Sequence, residues 1–196
     1  MRVQLTLCLV LAIAVAAHAG GNPDARVYID FDPPNYVHSI TPPEEDYFRA
    51  YVCIDQIGDG IMSLRIRLND LTIYPQFAAA SWTDLNGWGH PEGRAPWGLG
   101  VHDDMRYAPG CVTADQEPVV IGYAEYYYWG PGGGCLEILG SQLGAAHVRD
   151  CSIQIETDAA CVLSNGSIAG TPCPAGDCSA APVEDSAWGT IKSLYR

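Results

Sequence analysis

Apolar and polar residues alternate along most of this chain, and the runs are short. The clearest is "IMSLRIRLN" (61–69). Met62, Leu64, Ile66 and Leu68 fall on one side, and Ser63, Arg65 and Arg67 on the other. A period of two marks an extended strand with unlike faces. "YFRAYVCIDQI" (47–57) has the same texture, with Phe48, Ala50, Val52 and Ile54 on one face and Arg49 and Asp55 on the other. A Gly-Asp-Gly corner (58–60) joins the two runs, which predicts an antiparallel hairpin. Val52, Ile54, Leu64 and Ile66 are then expected between packed layers.

Further strands are predicted at "RVYIDF" (26–31), "YVHSI" (36–40), "FAAASWT" (77–83), "EPVVIGYAEYYYW" (117–129), "CLEIL" (135–139, pairing back on its predecessor), "CSIQIET" (151–157), "ACVLS" (160–164) and "SIAG" (167–170). Residues 84–110 read as a long irregular stretch with one short strand around 97–101. No amphipathic helix precedes residue 183. About nine or ten strands at this spacing predict an all-β fold, an antiparallel β-sandwich. Residues 20–170 form its domain. Residues 171–182 read as a Cys- and Pro-containing linker or strapped extension. Residues 183–196 read as a tail of helical spacing, with Trp188, Ile191, Leu194 and Tyr195 as its recognition candidates.

The first nineteen residues stand apart. Arg2, the apolar run "LTLCLVLAIAVAA" and the small-x-small site Ala17-His18-Ala19 predict a cleaved signal peptide. A lipid anchor at Cys8 is the rival reading, but Cys8 lies inside the apolar run rather than after it. No later segment is long and apolar enough to insert in a membrane. The expected location is secreted or extracytoplasmic: periplasm, envelope surface or medium.

Export changes how the cysteines are read. Seven of the eight lie beyond residue 19, and an oxidising compartment favours disulfides. Cys53, Cys111, Cys151, Cys161, Cys173 and Cys178 are the pairing candidates. Cys135, just after a glycine turn, is expected to be left over. "CPAGDC" (173–178) is expected to close a local ring. Structural zinc fits poorly, because no C-x-x-C pair occurs. The net charge of −13 argues against nucleic acid as a partner.

The run "GYAEYYYWGPGGG" (122–134) carries the strongest candidate chemistry. Alternation puts Tyr123, Glu125, Tyr127 and Trp129 on one face, and Ala124, Tyr126 and Tyr128 on the other. Glu125 marks the first face as wet. Tyr123, Tyr127 and Trp129, joined by Trp88 and by Trp82 or Trp97, are candidates for a sugar-stacking face. The plainer reading is a strand wet on one side. Among metal candidates, His90, His102, Asp103 and Asp104 are the best group, against the plainer reading of a solvated acidic loop. No cofactor is expected, with calcium as the alternative. Catalytic motifs are missing, although Asp30/Asp32, Asp103/Asp104 and Glu125/Glu137 are acidic pairs.

The tail "WGTIKSLYR" and the body segments "AYVCIDQIGDGI", "PGCV", "VIGYAEYY" and "NGSIAG" resemble a group of secreted, uncharacterised β-rich proteins of uncultured bacteria with a C-terminal W-G-x-I-K-x-x-Y-R tail. That resemblance implies export and a β-rich body, and it brings no activity. The order of elements, ending near Asn165-Gly166-Ser167, is similar to cohesin-type bacterial sandwiches. That similarity implies a sandwich that binds a protein, while the cysteine count and the aromatic run depart from the pattern. The expected function is a non-catalytic binding or structural module of the bacterial extracellular space or envelope, with an unknown protein or glycan at the cell surface as partner. A carbohydrate-binding module is the first alternative. A carboxylate-dependent secreted hydrolase is the second.

Overall fold

The structure is a computed structural model that describes residues 22, 24–85, 87, 104–139, 146–151 and 157–178. The chain forms the expected β-sandwich. Its strands are β1 (Arg26–Asp30), β2 (Ser39–Ile40), β3 (Asp46–Asp55), β4 (Ile61–Leu68), β5 (Phe77–Asp84), β6 (Asp104–Val112), β7 (Val119–Tyr128), β8 (Gly134–Leu136), β9 (Ile138–Leu139), β10 (Ala146–Asp150), β11 (Thr157–Ser164) and β12 (Gly166–Ile168). Among the described residues the only helices are two 3₁₀ turns, Leu71–Ile73 and Ala114–Gln116. None is long and apolar enough to cross a membrane. β6 and β10 arise where the sequence pattern gives no strand.

The strands run β5-β7-β3-β1-β11-β10-β4-β6 across one curled sheet, with β9 beside β4. A small sheet, β2-β12-β8, completes the body. β11 is the corner. Its residues 157–160 pair with β10, and Cys161, Val162 and Ser164 pair with β1. One strand therefore belongs to both layers. Most pairings are antiparallel, but β1–β11 and β2–β12 are parallel.

The predicted hairpin between residues 47–57 and 61–69 does not form. Both edges of β3 are taken by β1 and β7, and those of β4 by β10, β6 and β9. The two runs instead lie in opposite layers and share one core. Val52, Ile54, Leu64 and Ile66 are fully buried there. Alternation reports which face of a strand is apolar and leaves its neighbour open. The parity also breaks at the start of β4. A register shift between Ile61 and Ser63 turns Ile61 into the core and leaves Met62 half-buried, as an extra residue in a bulge does. Residues 135–139 do not pair back on β7. β8 pairs with β12, and β9 with β4.

The cysteines pair as Cys111–Cys151, Cys135–Cys173 and Cys161–Cys178, with Cα separations of 5.4, 5.3 and 4.8 Å. Cys135 is therefore bonded, and Cys53, expected to pair, is the free one. Cys53 lies opposite Tyr28 in the β1–β3 ladder and is fully buried. Burial pushes its thiol well above the ordinary range, with Asp30 and Asp55 adding to the effect. Cys173 and Cys178 do not close a local ring. Each ties the 171–178 segment to a strand, Cys173 to β8 and Cys178 to β11. Gly176 is needed for that approach, since a Cβ there would sit 2.1 Å from the Val162 carbonyl oxygen.

Two outcomes are expected. Leu64→Ala should cost about 2–5 kcal/mol in urea unfolding, whereas Tyr127→Ala on the outer face should cost under about 1 kcal/mol. In protein starting at Gly20, thiol titration should find no reactive group in the native state and one per chain in denaturant without reductant, lost in Cys53→Ser.

Candidate functional site

The site is assembled by the register of β3 on β7. Nine residue pairs align the strands, among them Tyr47 with Tyr127, Arg49 with Glu125, and Tyr51 with Tyr123. These three rungs share the outer face. The alternate positions Phe48, Ala50, Ala124, Tyr126 and Tyr128 point into the core. Each strand therefore contributes one row of side chains to the core and one to the surface. The core row is itself aromatic: Phe48 stacks on Tyr126 with centroids 5.7 Å apart, and Phe77 on Tyr128 at 5.4 Å. Tyr128 satisfies its hydroxyl by donating to the Gly132 carbonyl, as a buried phenol requires.

On the outer row, rungs repeat at about 6.8 Å. The Tyr51 and Tyr123 rings lie 5.3 Å apart. The Arg49 guanidinium sits 4.6 Å above the Tyr123 ring, and its Nε donates to Glu125 Oε1 at 2.9 Å. Tyr47 and Tyr127 meet at 4.9 Å with planes 76° apart, and Tyr127 meets Trp129 at 4.5 Å and 64°. Trp129 follows the end of β7, with its backbone N–H donating to the Gln76 carbonyl. Gly130 then reverses the chain at φ +58°, where a side chain would strike Glu44. Tyr47 and Trp129 remain 55% and 54% exposed. Water-facing rings of this size, grouped at one corner, are surface that the fold does not use.

Of the sequence candidates, Tyr127 and Trp129 are in contact, and Tyr123 lies two rungs away behind Arg49 and Glu125. Trp82 does not join them. Its ring packs over Gly122, and its indole N–H donates to Asp84. Trp88, Trp97, His90, His102 and Asp103 lie outside the described residues, as does the tail with Trp188, Ile191, Leu194 and Tyr195. The backbone of Asp104 opens β6 opposite Ile66. Tyr47 and Tyr51 escaped the sequence reading. Their signal was available: Tyr-x-Arg-x-Tyr (47–51) faces Tyr-x-Glu-x-Tyr (123–127) with matching ring spacing and opposite central charge.

The other end of the same sheet face is roofed. Tyr36 stacks on buried Tyr28 at 5.2 Å, and Arg26 makes two hydrogen bonds to Asp55. Asp30, flagged with Asp32 as an acidic pair, accepts backbone N–H groups from Asp32, Tyr36 and Val37 at 2.9–3.0 Å. Its carboxylate holds the loop in place. Asp32 accepts from Asn35, and Glu125 is bound by Arg49. Ser164 lies 2.8 Å from His38 Nδ1, the spacing of a nucleophile and its base. That nitrogen is also 2.7 Å from the Ile29 carbonyl. A carbonyl only accepts, so Nδ1 carries the proton and has no lone pair for Ser164. Among the described residues no three potential ligands cluster for a metal ion.

No protein-family model matches the chain, and no curated protein matches it. Among solved structures, it is similar to a chain of a complex between a CaDoc0917 variant and CaCohA2, at TM-score 0.50 and 11% identity, covering 74% of this chain and 97% of that one. A second similar structure is the second type II cohesin module of the adaptor ScaA scaffoldin of Acetivibrio cellulolyticus, at TM-score 0.39 and 11% identity, covering 83% and 97%. In fold, the chain is similar to cohesin modules.

Buried phenols set the alkaline response. Burial first, then Cys53 and Tyr36, hold the Tyr28 phenol above its ordinary value, and burial raises Tyr126 as well. The folded state thus keeps these protons more tightly than the unfolded chain. Their contribution is fully present below about pH 10 and falls as pH rises beyond it. Urea midpoints between about pH 10 and 12 should fall less steeply in Tyr28→Phe than in the parent protein.

Proposed function

We propose that this protein is an exported, non-catalytic binding module whose outer β3–β7 face docks another protein. The observation that carries the reading is the exposed aromatic corner of Tyr47, Tyr127 and Trp129, held by a register that is unbroken from Asp46 to Val52. A surface that is rigid before binding loses little conformational freedom on docking. Aromatic residues also dominate protein interfaces. The similar chain described above occurs in a complex, which supports a protein partner by analogy of fold. Three disulfides support an oxidising, extracytoplasmic location. The tail at 183–196 then serves as a sorting or recognition peptide. The non-catalytic reading is supported by the way Asp30, Glu125 and His38 are already committed to structural bonds.

The ring angles favour protein over glycan. A pyranose stacked across two aromatics needs their faces nearly coplanar, and here they stand 64–76° apart. Immobilised protein, with and without Tyr127→Ala/Trp129→Ala, should be challenged with extracellular proteins of the native host and with a polysaccharide panel. The expected outcome is a protein retained by the parent and lost from the double variant, with no polysaccharide bound. Polysaccharide retention lost in the same variant would install the carbohydrate-binding reading instead.

A further inference from the structure

The rings of the aromatic corner are set at steep angles to one another. Tyr127 meets Tyr47 and Trp129 edge to face, at 4.9 and 4.5 Å, so the ring planes of the corner are not parallel. A ring face carries negative potential, and the exposed rings of Tyr47 and Trp129 offer such faces to a cation as well as to an apolar group. The same sheet face already holds one cation in this manner, the Arg49 guanidinium over Tyr123.

The rim has the matching charge. Glu44, Glu45 and Asp46 precede Tyr47 and are all exposed. Glu44 lies against Gly130, next to Trp129. Glu45 takes a left-handed turn at φ +57°, and the Asp46 carboxylate accepts the Tyr47 N–H. Among the described residues none of the three has an ion-pair partner, while Arg26 is held by Asp55 and Arg49 by Glu125. Glu45 and Asp46 are near enough to the Tyr127 phenol to help hold its proton, after burial. The whole chain, at −13, adds a long-range field that draws in a cation.

We propose that the corner of Tyr47, Tyr127 and Trp129, rimmed by Glu44, Glu45 and Asp46, seats a lysine or arginine side chain of the docked protein. This rests on the docking reading above and names the chemistry its partner must carry. The aliphatic stem of the basic residue packs along the rings while its charged head reaches the carboxylates.

Three small probes test it without the partner: the N-acetyl methylamides of lysine, arginine and norleucine, titrated into the chain starting at Gly20 and followed by amide and indole NMR shifts. The two cationic amides should shift Tyr47, Tyr127 and the Trp129 indole saturably. Their affinity should exceed that of the norleucine amide about tenfold, in the range expected for a cation on an aromatic face. Added salt should weaken them. Trp129→Ala should abolish the shifts. Glu45→Gln/Asp46→Asn, which preserves shape, should lower affinity several-fold and flatten the salt dependence. Equal binding of the norleucine amide, or shifts confined to other residues, would overturn the proposal. If the cationic amides fail while a host protein is still captured through Tyr127 and Trp129, the cation site falls and the docking face stands. If the amides bind and no protein is captured, the docking reading falls, and the assignment of the cation to a partner's side chain falls with it.

Discussion

The architecture depends on one strand serving two layers. β11 lends its first half to β10 and its second half to β1, so the curled sheet closes over its own core without a break. Everything else follows from that corner. The parallel step β1–β11 lets β3 and β7 extend one layer, while β10 hands over to β4 and β6 in the other. The Cys161–Cys178 bond sits at the changeover, and the Cys178 N–H donates to Val162 beside it. The covalent tie falls where hydrogen bonding changes partner.

Closure fixes which surfaces are left over. The core needs one row from β3 and one from β7, and takes Phe48, Tyr126 and Tyr128 among its largest members. The remaining row must face outward. Along that row, loop residues cover the Tyr28–Asp55 end, whereas the Tyr47–Trp129 end stays open. Both ends are aromatic and acidic. The difference is the cation: Arg26 already answers Asp55, and no described residue answers Glu44, Glu45 or Asp46.

Much of this was legible in the chain. Alternation divided Tyr127 from Tyr128 and Arg65 from Ile66 correctly, because facing requires only a period of two. It could not say that β3 and β4 lie across the core from one another. Face patterns are identical for a hairpin and for two strands in opposing layers. The Ile61–Ser63 bulge was hidden for a related reason, since one extra residue is read only against its partner strand. Cysteine pairing failed on the same ground. Cys135 and Cys173 meet through β8, whose placement comes from β12, and Cys53 is stranded by the ladder around it. Tyr47 entered the site through register, a property of two segments about eighty residues apart in sequence.

The division of labour along β3 and β7 carries a consequence for how such a surface changes over time. Over residues 47–51 and 123–127, residues that hold the sandwich together and residues on the outer face occupy alternating places. Substitution at 47, 49, 51, 123, 125 and 127 can therefore change the outer surface while the buried row stays untouched. On the docking reading proposed above, specificity can drift on such a scaffold while the fold is kept.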